Sequence, residues 1–116
     1  MITPAEIMKG MAEKNRRLTS LNDEYIDFVE KRAQAERDFN VSVAKKTLEL
    51  KEDGQSITII NTLVKGDKLV AELKLKMDVA EGMEKVCLLK IKETTSAIDT
   101  YRSLLTWQRA EMLRSE

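Results

Sequence analysis

The sequence predicts an all-α protein built as a long antiparallel helical hairpin, and three observations support this fold. The 116-residue chain contains one proline, Pro4, and four glycines, so very little interrupts a helix after the first turn. Apolar residues recur at alternating spacings of three and four over two stretches of similar length, as in a coiled-coil seam. A turn signal, Asp53-Gly54, follows the first stretch. We expect one hairpin domain over residues 1–116, with long helices at about 4–52 and 67–114.

The first helix has a clear start signal. Thr3 can cap it, Pro4 suits the first helical position, and Glu6 stands three residues after Thr3, as a capping box requires. Lys14 and Arg32 fall on the apolar seam, where their long stems can lie along apolar surface. The helix should end near Glu52. The seam residues are Ile7, Met11, Leu18, Leu21, Tyr25, Phe28, Ala35 and Phe39.

A short apolar segment, residues 55–65, lies between the two helices. Its β-branched residues allow a short strand, whereas Ser56 or Thr58 could cap a two-turn helix that Gly66 terminates. Of these two forms, the short helix is slightly favoured over the strand. In either form the segment is too apolar for a free linker, so we expect it to pack across the end of the hairpin.

The second long helix is predicted to begin at Asp67, an acceptable N-cap, and to end near Arg114. Gly82 lies inside it, either as a tolerated glycine with a slight kink or as a point of close helix contact. Its seam residues are Val70, Leu73, Met77, Ala80, Cys87, Ile91, Ile98, Tyr101, Leu105 and Met112, with interruptions at Glu84, Thr94 and Gln108.

Additional apolar positions widen the stripe of the second helix beyond a two-stranded seam. Leu88 and Leu89, for example, cannot both face one partner helix. We therefore expect a homodimer or higher oligomer, most simply two hairpins in a coiled-coil-like four-helix bundle. The candidate interface residues are Trp107, Leu88, Leu89, Val86 and Met83.

Trp107 has two interpretations. In an antiparallel hairpin it would lie beside Ile7, Met8 and Met11, so packing at the open end is the commoner explanation. The alternative is an anchor for a partner, since tryptophan is enriched at binding hot spots.

Residue types argue against catalysis. Histidine is absent, which removes most acid–base, nucleophilic and zinc chemistry, and the lone Cys87 lies on the apolar seam. We expect no catalytic residues and no cofactor.

Acidic residues could form a magnesium site like that of all-helical nucleotide pyrophosphohydrolases, but basic residues interleave them, so a solvated helix face is favoured. These acidic candidates are Asp23, Glu24, Asp27, Glu30, Glu81 and Glu84.

Basic residues suggest an alternative function, nucleic-acid binding. Lysines cluster near the end of the first helix and the start of the second, which an antiparallel hairpin brings to the same end. The chain has 20 basic and 20 acidic residues, so any such binding would be local. The candidates are Lys65, Lys68, Lys74, Lys76, Lys45 and Lys46.

Three segments of the second half carry a family resemblance: 62–67 (TLVKGD), 76–81 (KMDVAE) and 101–111 (YRSLLTWQRAE). With them the chain resembles a group of small uncharacterised helical proteins of tailed phages and prophages of Gram-positive bacteria. The resemblance implies expression in the cytoplasm of a bacterial host and carries no activity to any residue.

We expect no membrane partner, because the longest purely apolar run, 86–89, is far shorter than the roughly 20 residues that a bilayer requires. The leading functional hypothesis is a non-enzymatic adaptor that binds another protein.

Overall fold

The computed structural model describes residues 2–115 and contains three helices in that part of the chain. Helix α1 spans Pro4–Glu52, α2 spans Ile57–Gly66 and α3 spans Lys68–Ser115. No strand occurs among the described residues, and α1 and α3 pack against each other in antiparallel directions. The predicted all-α hairpin is therefore confirmed, and the predicted ends of the long helices agree with the observed ends to within one residue.

Both ends of α1 are stabilised by local hydrogen bonds. The Thr3 hydroxyl accepts a hydrogen bond from the Glu6 backbone N–H at 3.1 Å, so Thr3 caps the helix as predicted. At the other end Gly54 adopts a φ of 81°, in the left-handed region. Its N–H donates to the Lys51 carbonyl at 3.0 Å, and the Gln55 N–H donates to the Leu50 carbonyl at 3.1 Å. This pair of bonds is a Schellman motif, which ends the helix at the predicted turn.

The segment between the long helices is helical, so the strand alternative is wrong. Ser56 occupies the N-cap position of α2, although its hydroxyl makes no capping hydrogen bond there. One residue, Asp67, separates α2 from α3. Its carboxylate accepts a hydrogen bond from the Val70 backbone N–H at 3.1 Å, which confirms Asp67 as the cap of α3.

The chain divides into two compact units. The terminal unit combines α1 up to Ile26 with α3 from Val86 onward, and the turn unit comprises Asp27–Lys85 with all of α2.

In the terminal unit, α1 and α3 pack along the predicted seam. Ile7, Leu21, Cys87 and Ile98 are buried there. The Cys87 thiol lies 3.5 Å from the Leu21 carbonyl oxygen, to which it donates a weak hydrogen bond. The interpretation of Cys87 as a small buried apolar residue is confirmed.

In the terminal unit the Tyr101 ring of α3 packs directly over Gly10 of α1. A Cβ atom at this position would lie 2.5 Å from the ring of Tyr101, well inside van der Waals contact. Gly82 in α3 is different, because a Cβ atom there would meet nothing within 4 Å. Within the chain Gly82 is therefore a tolerated glycine, whereas a side chain at Gly10 would require the Tyr101 ring to shift.

In the turn unit, α2 covers the hairpin end. Ile60 and Val64 of α2 form a buried cluster with Leu50 of α1 and Val70 of α3, and Phe39 and Val43 pack against it. The expectation that the 55–65 segment packs across the hairpin end is confirmed. Ile59 and Leu63, beside this buried face, are exposed, and so is Ile57 in the first turn of α2.

Candidate interaction surfaces

Two polar residues on the predicted seam, Arg32 and Glu84, bind each other in the turn unit. The Arg32 guanidinium donates from Nε to Glu84 Oε2 at 2.8 Å and from Nη1 to Glu36 Oε2 at 2.9 Å. The side chains of Arg32 and Glu84 are 29% and 19% exposed, so the pair is partly shielded from water. The hydrogen bond with Glu84, followed by that with Glu36, raises the pKa of Arg32 above its usual value.

Two of the acidic residues that could bind magnesium pair with arginine side chains. Glu84 binds Arg32, and Glu24 lies 3.9 Å from Arg17. Within residues 2–115 no group of three or more His, Cys, Asp or Glu side chains has the arrangement of a metal site.

The six candidate lysines all belong to the turn unit but line different cavities. Lys45 and Lys46 line one cavity between α1 and α3, and Lys76 lines a second, adjoining cavity between the same helices. Lys65 and Lys74 line a third cavity, which involves α2. Lys68 lines none of these three. The lysines therefore share one end of the hairpin without forming a single cluster.

Two of these lysines have acidic partners. Lys46 lies 3.6 Å from both Glu49 and Asp67, and Lys74 lies 3.0 Å from Asp78. The Lys74 ammonium also stands 5.7 Å from the centroid of the Phe39 ring, a cation–π distance. Their charge is thus partly balanced within the chain, and nucleic-acid binding stays a prediction.

Two cavities, of about 560 and 440 Å³, adjoin along one side of the α1–α3 pair in the turn unit. Asp38 lines both, and the α1 residues that line them recur at spacings of three and four from Phe28 to Glu49, as one face of a helix does. We call this combined depression the α1–α3 groove. Its exposed apolar residues are Val41, Leu69, Val79 and Met83.

Met83, one of the predicted interface residues, lies in this groove. Lys31 and Val41 also line it but are not among the sequence-predicted interaction residues. Val41 is an apolar residue off the α1 seam, which is the signal that could have identified it.

A third cavity, of about 660 Å³, lies on the α2 side of the turn unit. Phe39, Val43, Val64 and Val70 supply apolar walls, and these residues belong to the core cluster or pack against it. The cavity is therefore an opening into the hairpin-end core.

The predicted packing of Trp107 against Met8 and Met11 is wrong for the chain by itself. Trp107 is 59% exposed, and Met8 is exposed as well. The seam at this level is occupied instead by Gln108, whose side-chain amide donates to the Ile2 carbonyl at 2.7 Å. Because Trp107 is one residue before Gln108, it is turned about 100° away from the seam.

Trp107 instead forms the wall of a shallow groove of about 480 Å³ in the terminal unit, together with Ile2, Pro4 and Met112. Met112 was expected on the seam but is exposed. The reason is geometric: Gln108 already lies opposite Ile2, so α3 continues beyond the start of α1 and Met112 has no helix to face.

The other predicted interface residues are exposed apolar side chains. Val86, Leu88 and Leu89 surround the buried Cys87 in the terminal unit, and all three are accessible to solvent. Leu88 and Leu89 point in different directions around the helix, as their adjacency requires. Their role at an interface stays a prediction.

Among the described residues, no helix combines the length and the apolar character that crossing a membrane requires. Comparison of the chain with protein-family models, with curated proteins and with solved structures finds no match.

Proposed function

We propose that this protein is a non-enzymatic, oligomeric helical adaptor that acts by binding other proteins in the cytoplasm of a bacterial host. The proposal also includes a phage or prophage origin, which rests on the sequence resemblance of the second half of the chain. The adaptor role rests on the surface of the folded chain.

The observation that carries the proposal is the amount of surface that the chain leaves in water. The accessible surface is 8691 Å². A compact monomer of this mass exposes about 6,500 Å², so the chain leaves about a third more surface uncovered. The excess is larger than the roughly 800 Å² that each partner buries in a protein–protein interface of standard size.

Much of the exposed surface is apolar. Eighteen large apolar residues are exposed among the described residues, whereas ten apolar residues are buried. Singly exposed apolar residues are ordinary, but contiguous patches of them mark interaction sites. In the turn unit Leu75, Val79 and Met83 are exposed at spacings of four residues along α3, so they share one face of the helix, and Leu69 is exposed as well. In the terminal unit Val86, Leu88, Leu89 and Trp107 of α3 are also exposed, and Val86 and Leu88 lie on opposite sides of the helix.

The residue composition supports binding rather than catalysis. The chain has no histidine and a single cysteine, and that cysteine is buried. Burial keeps the Cys87 thiol out of contact with any substrate in solution. Side chains that commonly activate nucleophiles or shuttle protons near neutral pH are therefore scarce.

Sedimentation velocity at tens of micromolar tests the oligomer. We expect a dimer or larger species, which Leu89→Glu weakens by placing a charge on an exposed apolar position. Thr95→Glu is the matched control, because Thr95 is exposed on the same helix and is already polar. A strictly monomeric wild-type chain would contradict the oligomeric part of the proposal.

The adaptor role is tested by capture of partners from the bacterial host with tagged wild-type protein. The same capture with Leu89→Glu and Thr95→Glu provides the comparison. We expect a defined partner that the wild type and Thr95→Glu retain equally. If the wild type retains no protein beyond a tag-only control, the adaptor role is wrong.

A further inference from the structure

The α1–α3 groove of the turn unit has the dimensions of a docking site for a helix. The α1 residues that line it run from Phe28 to Glu49. At 1.5 Å per residue this stretch is about 30 Å long, which matches a helix of about 20 residues. A groove between two packed helices is also the place where a third helix is accepted in a bundle.

The groove presents apolar contacts along its length. Val41 and Leu69 are exposed in one of its two cavities, and Val79 and Met83 are exposed in the other. Val79 and Met83 are four residues apart on α3, so they lie on the same face of the helix. Such apolar positions at helical spacing receive the apolar face of an amphipathic helix.

Charge identifies which amphipathic helix fits. Five cationic residues line the groove (Lys31, Arg37, Lys45, Lys46 and Lys76), against three anionic ones (Asp38, Glu49 and Asp67). The groove thus carries a positive excess, although the whole chain has no net charge.

The anionic residues already have partners. Asp38 pairs with Arg37 at 3.3 Å, and Glu49 and Asp67 each lie 3.6 Å from Lys46. Lys31, Lys45 and Lys76 form no ion pair with any described residue. The Lys31 ammonium stands over the Phe28 ring at 5.7 Å, beside the apolar surface.

We infer that the α1–α3 groove binds an acidic amphipathic helix of a partner protein, whose apolar face contacts Val79 and Met83 and whose carboxylates pair with Lys31, Lys45 and Lys76. This inference rests on the proposed adaptor function and specifies its partner. A second copy of the chain fits less well, because docking this groove on its own equivalent would bring lysine-rich edges together. A nucleic acid fits less well because the apolar residues would lie against a phosphate backbone.

Binding of two synthetic peptides to the full-length protein tests the inference. One is a fluorescein-labelled helical peptide of about 20 residues with leucine on one face and glutamate on its flanks. The matched control keeps the leucines and replaces each glutamate with lysine. In fluorescence anisotropy we expect the acidic peptide to bind at least about tenfold more tightly, with an affinity that falls as salt rises.

Charge reversal locates the site. Lys31→Glu/Lys76→Glu should weaken acidic-peptide binding by about tenfold or more, because two attractions become repulsions. Lys90→Glu/Lys92→Glu changes the net charge equally at exposed positions of the terminal unit and should leave the affinity within about twofold. Val79→Asp/Met83→Asp should abolish binding. Circular dichroism verifies that each variant remains helical.

The outcomes separate the alternatives. The inference is wrong if the acidic peptide does not bind at hundreds of micromolar, or if the two charge-reversal pairs weaken it equally. If the acidic peptide does not bind and Val79→Asp/Met83→Asp dissociates a wild-type oligomer, the groove binds a second copy, and the proposed function stands without this inference. If a single-stranded oligonucleotide binds in place of the peptide and Lys31→Glu/Lys76→Glu removes it, the ligand is a nucleic acid. A monomer that binds neither peptide nor host protein contradicts both proposals.

Discussion

Arg32 of α1 and Glu84 of α3 lie opposite each other in the turn unit, with 2.8 Å between Nε and Oε2. Each residue taken alone interrupts the apolar seam of its helix. Together they form an ion pair that balances both charges, and Glu36 provides a second acceptor for the Arg32 guanidinium at 2.9 Å. A partly shielded pair of this kind disfavours a shifted helix register, since a shift would leave Glu84 on the seam without Arg32, whereas Arg32 would keep only Glu36 of its own helix.

The first prediction is that Arg32 and Glu84 are energetically coupled. In a double-mutant cycle with Arg32→Ala and Glu84→Ala, we expect each single change to lower the thermal midpoint and the double change to cost less than the sum. The matched control is the neighbouring, more exposed pair Arg37 and Asp38, where water screens the charges and coupling should be near zero. Equal coupling in the two cycles would show that the Arg32–Glu84 pair contributes no more than an exposed ion pair.

The second prediction concerns two glycines in long helices. Replacing the exposed Gly82 with alanine should stabilise the protein by about 1 kcal/mol, because alanine favours the helix and the new methyl group meets no other atom. Replacing Gly10 with alanine should destabilise it, because displacing the Tyr101 ring costs about 1–3 kcal/mol and outweighs the helix gain. Chemical denaturation measures both. Similar stabilisation by both changes would mean that Tyr101 moves aside freely.

The third prediction concerns the turn after α1. Gly54→Ala should cost about 1–2 kcal/mol, since an L-residue is disfavoured at the positive φ that the Schellman motif requires. Gly66→Ala is the control: Gly66 ends α2 without a positive φ, and its Cβ would meet nothing within 4 Å. We expect that control to be neutral or stabilising. Equal losses of unfolding free energy would indicate that the φ of Gly54 is not the cause.

The fourth prediction uses adjacent residues of α2. Ile60 is 2% exposed in the hairpin-end core, whereas Ile59 is 49% exposed. Ile60→Ala should lower the unfolding free energy by about 2–5 kcal/mol because it leaves a cavity between the three helices. Ile59→Ala should cost less than about 1 kcal/mol. Comparable losses would show that α2 does not dock by the Ile60 face.

Most of the fold could be predicted from the sequence because its signals are local. The cap at Thr3, the turn at Gly54 and the cap at Asp67 each depend on neighbouring residues only. The buried positions of α1 and α3 follow from periodicity for the same reason. Contacts between helices could not be predicted in the same way. The pairing of Arg32 with Glu84 and the fit of Gly10 against Tyr101 depend on the register of the antiparallel helices.

The candidate surface could be predicted only in part. Excess apolar residues such as Met83 and Leu89 are visible in the sequence, because they fall outside the seam. Which of them share a groove depends on the side of the helix pair on which they lie. Val41 and Val79 are 38 positions apart in sequence, yet they line the two adjoining cavities of the α1–α3 groove.

The last prediction concerns Trp107 as a probe of association. Because its side chain is 59% exposed, dilute protein should emit near the wavelength of indole in water, and Trp107→Ala should change the unfolding free energy by less than about 1 kcal/mol. If Trp107 lies in the proposed interface, its emission should shift to the blue as the concentration rises through the association range. Leu89→Glu should suppress that shift and Thr95→Glu should not. A blue emission at every concentration would mean that Trp107 is covered within the single chain, and an unchanged red emission in a proven oligomer would place it outside the interface.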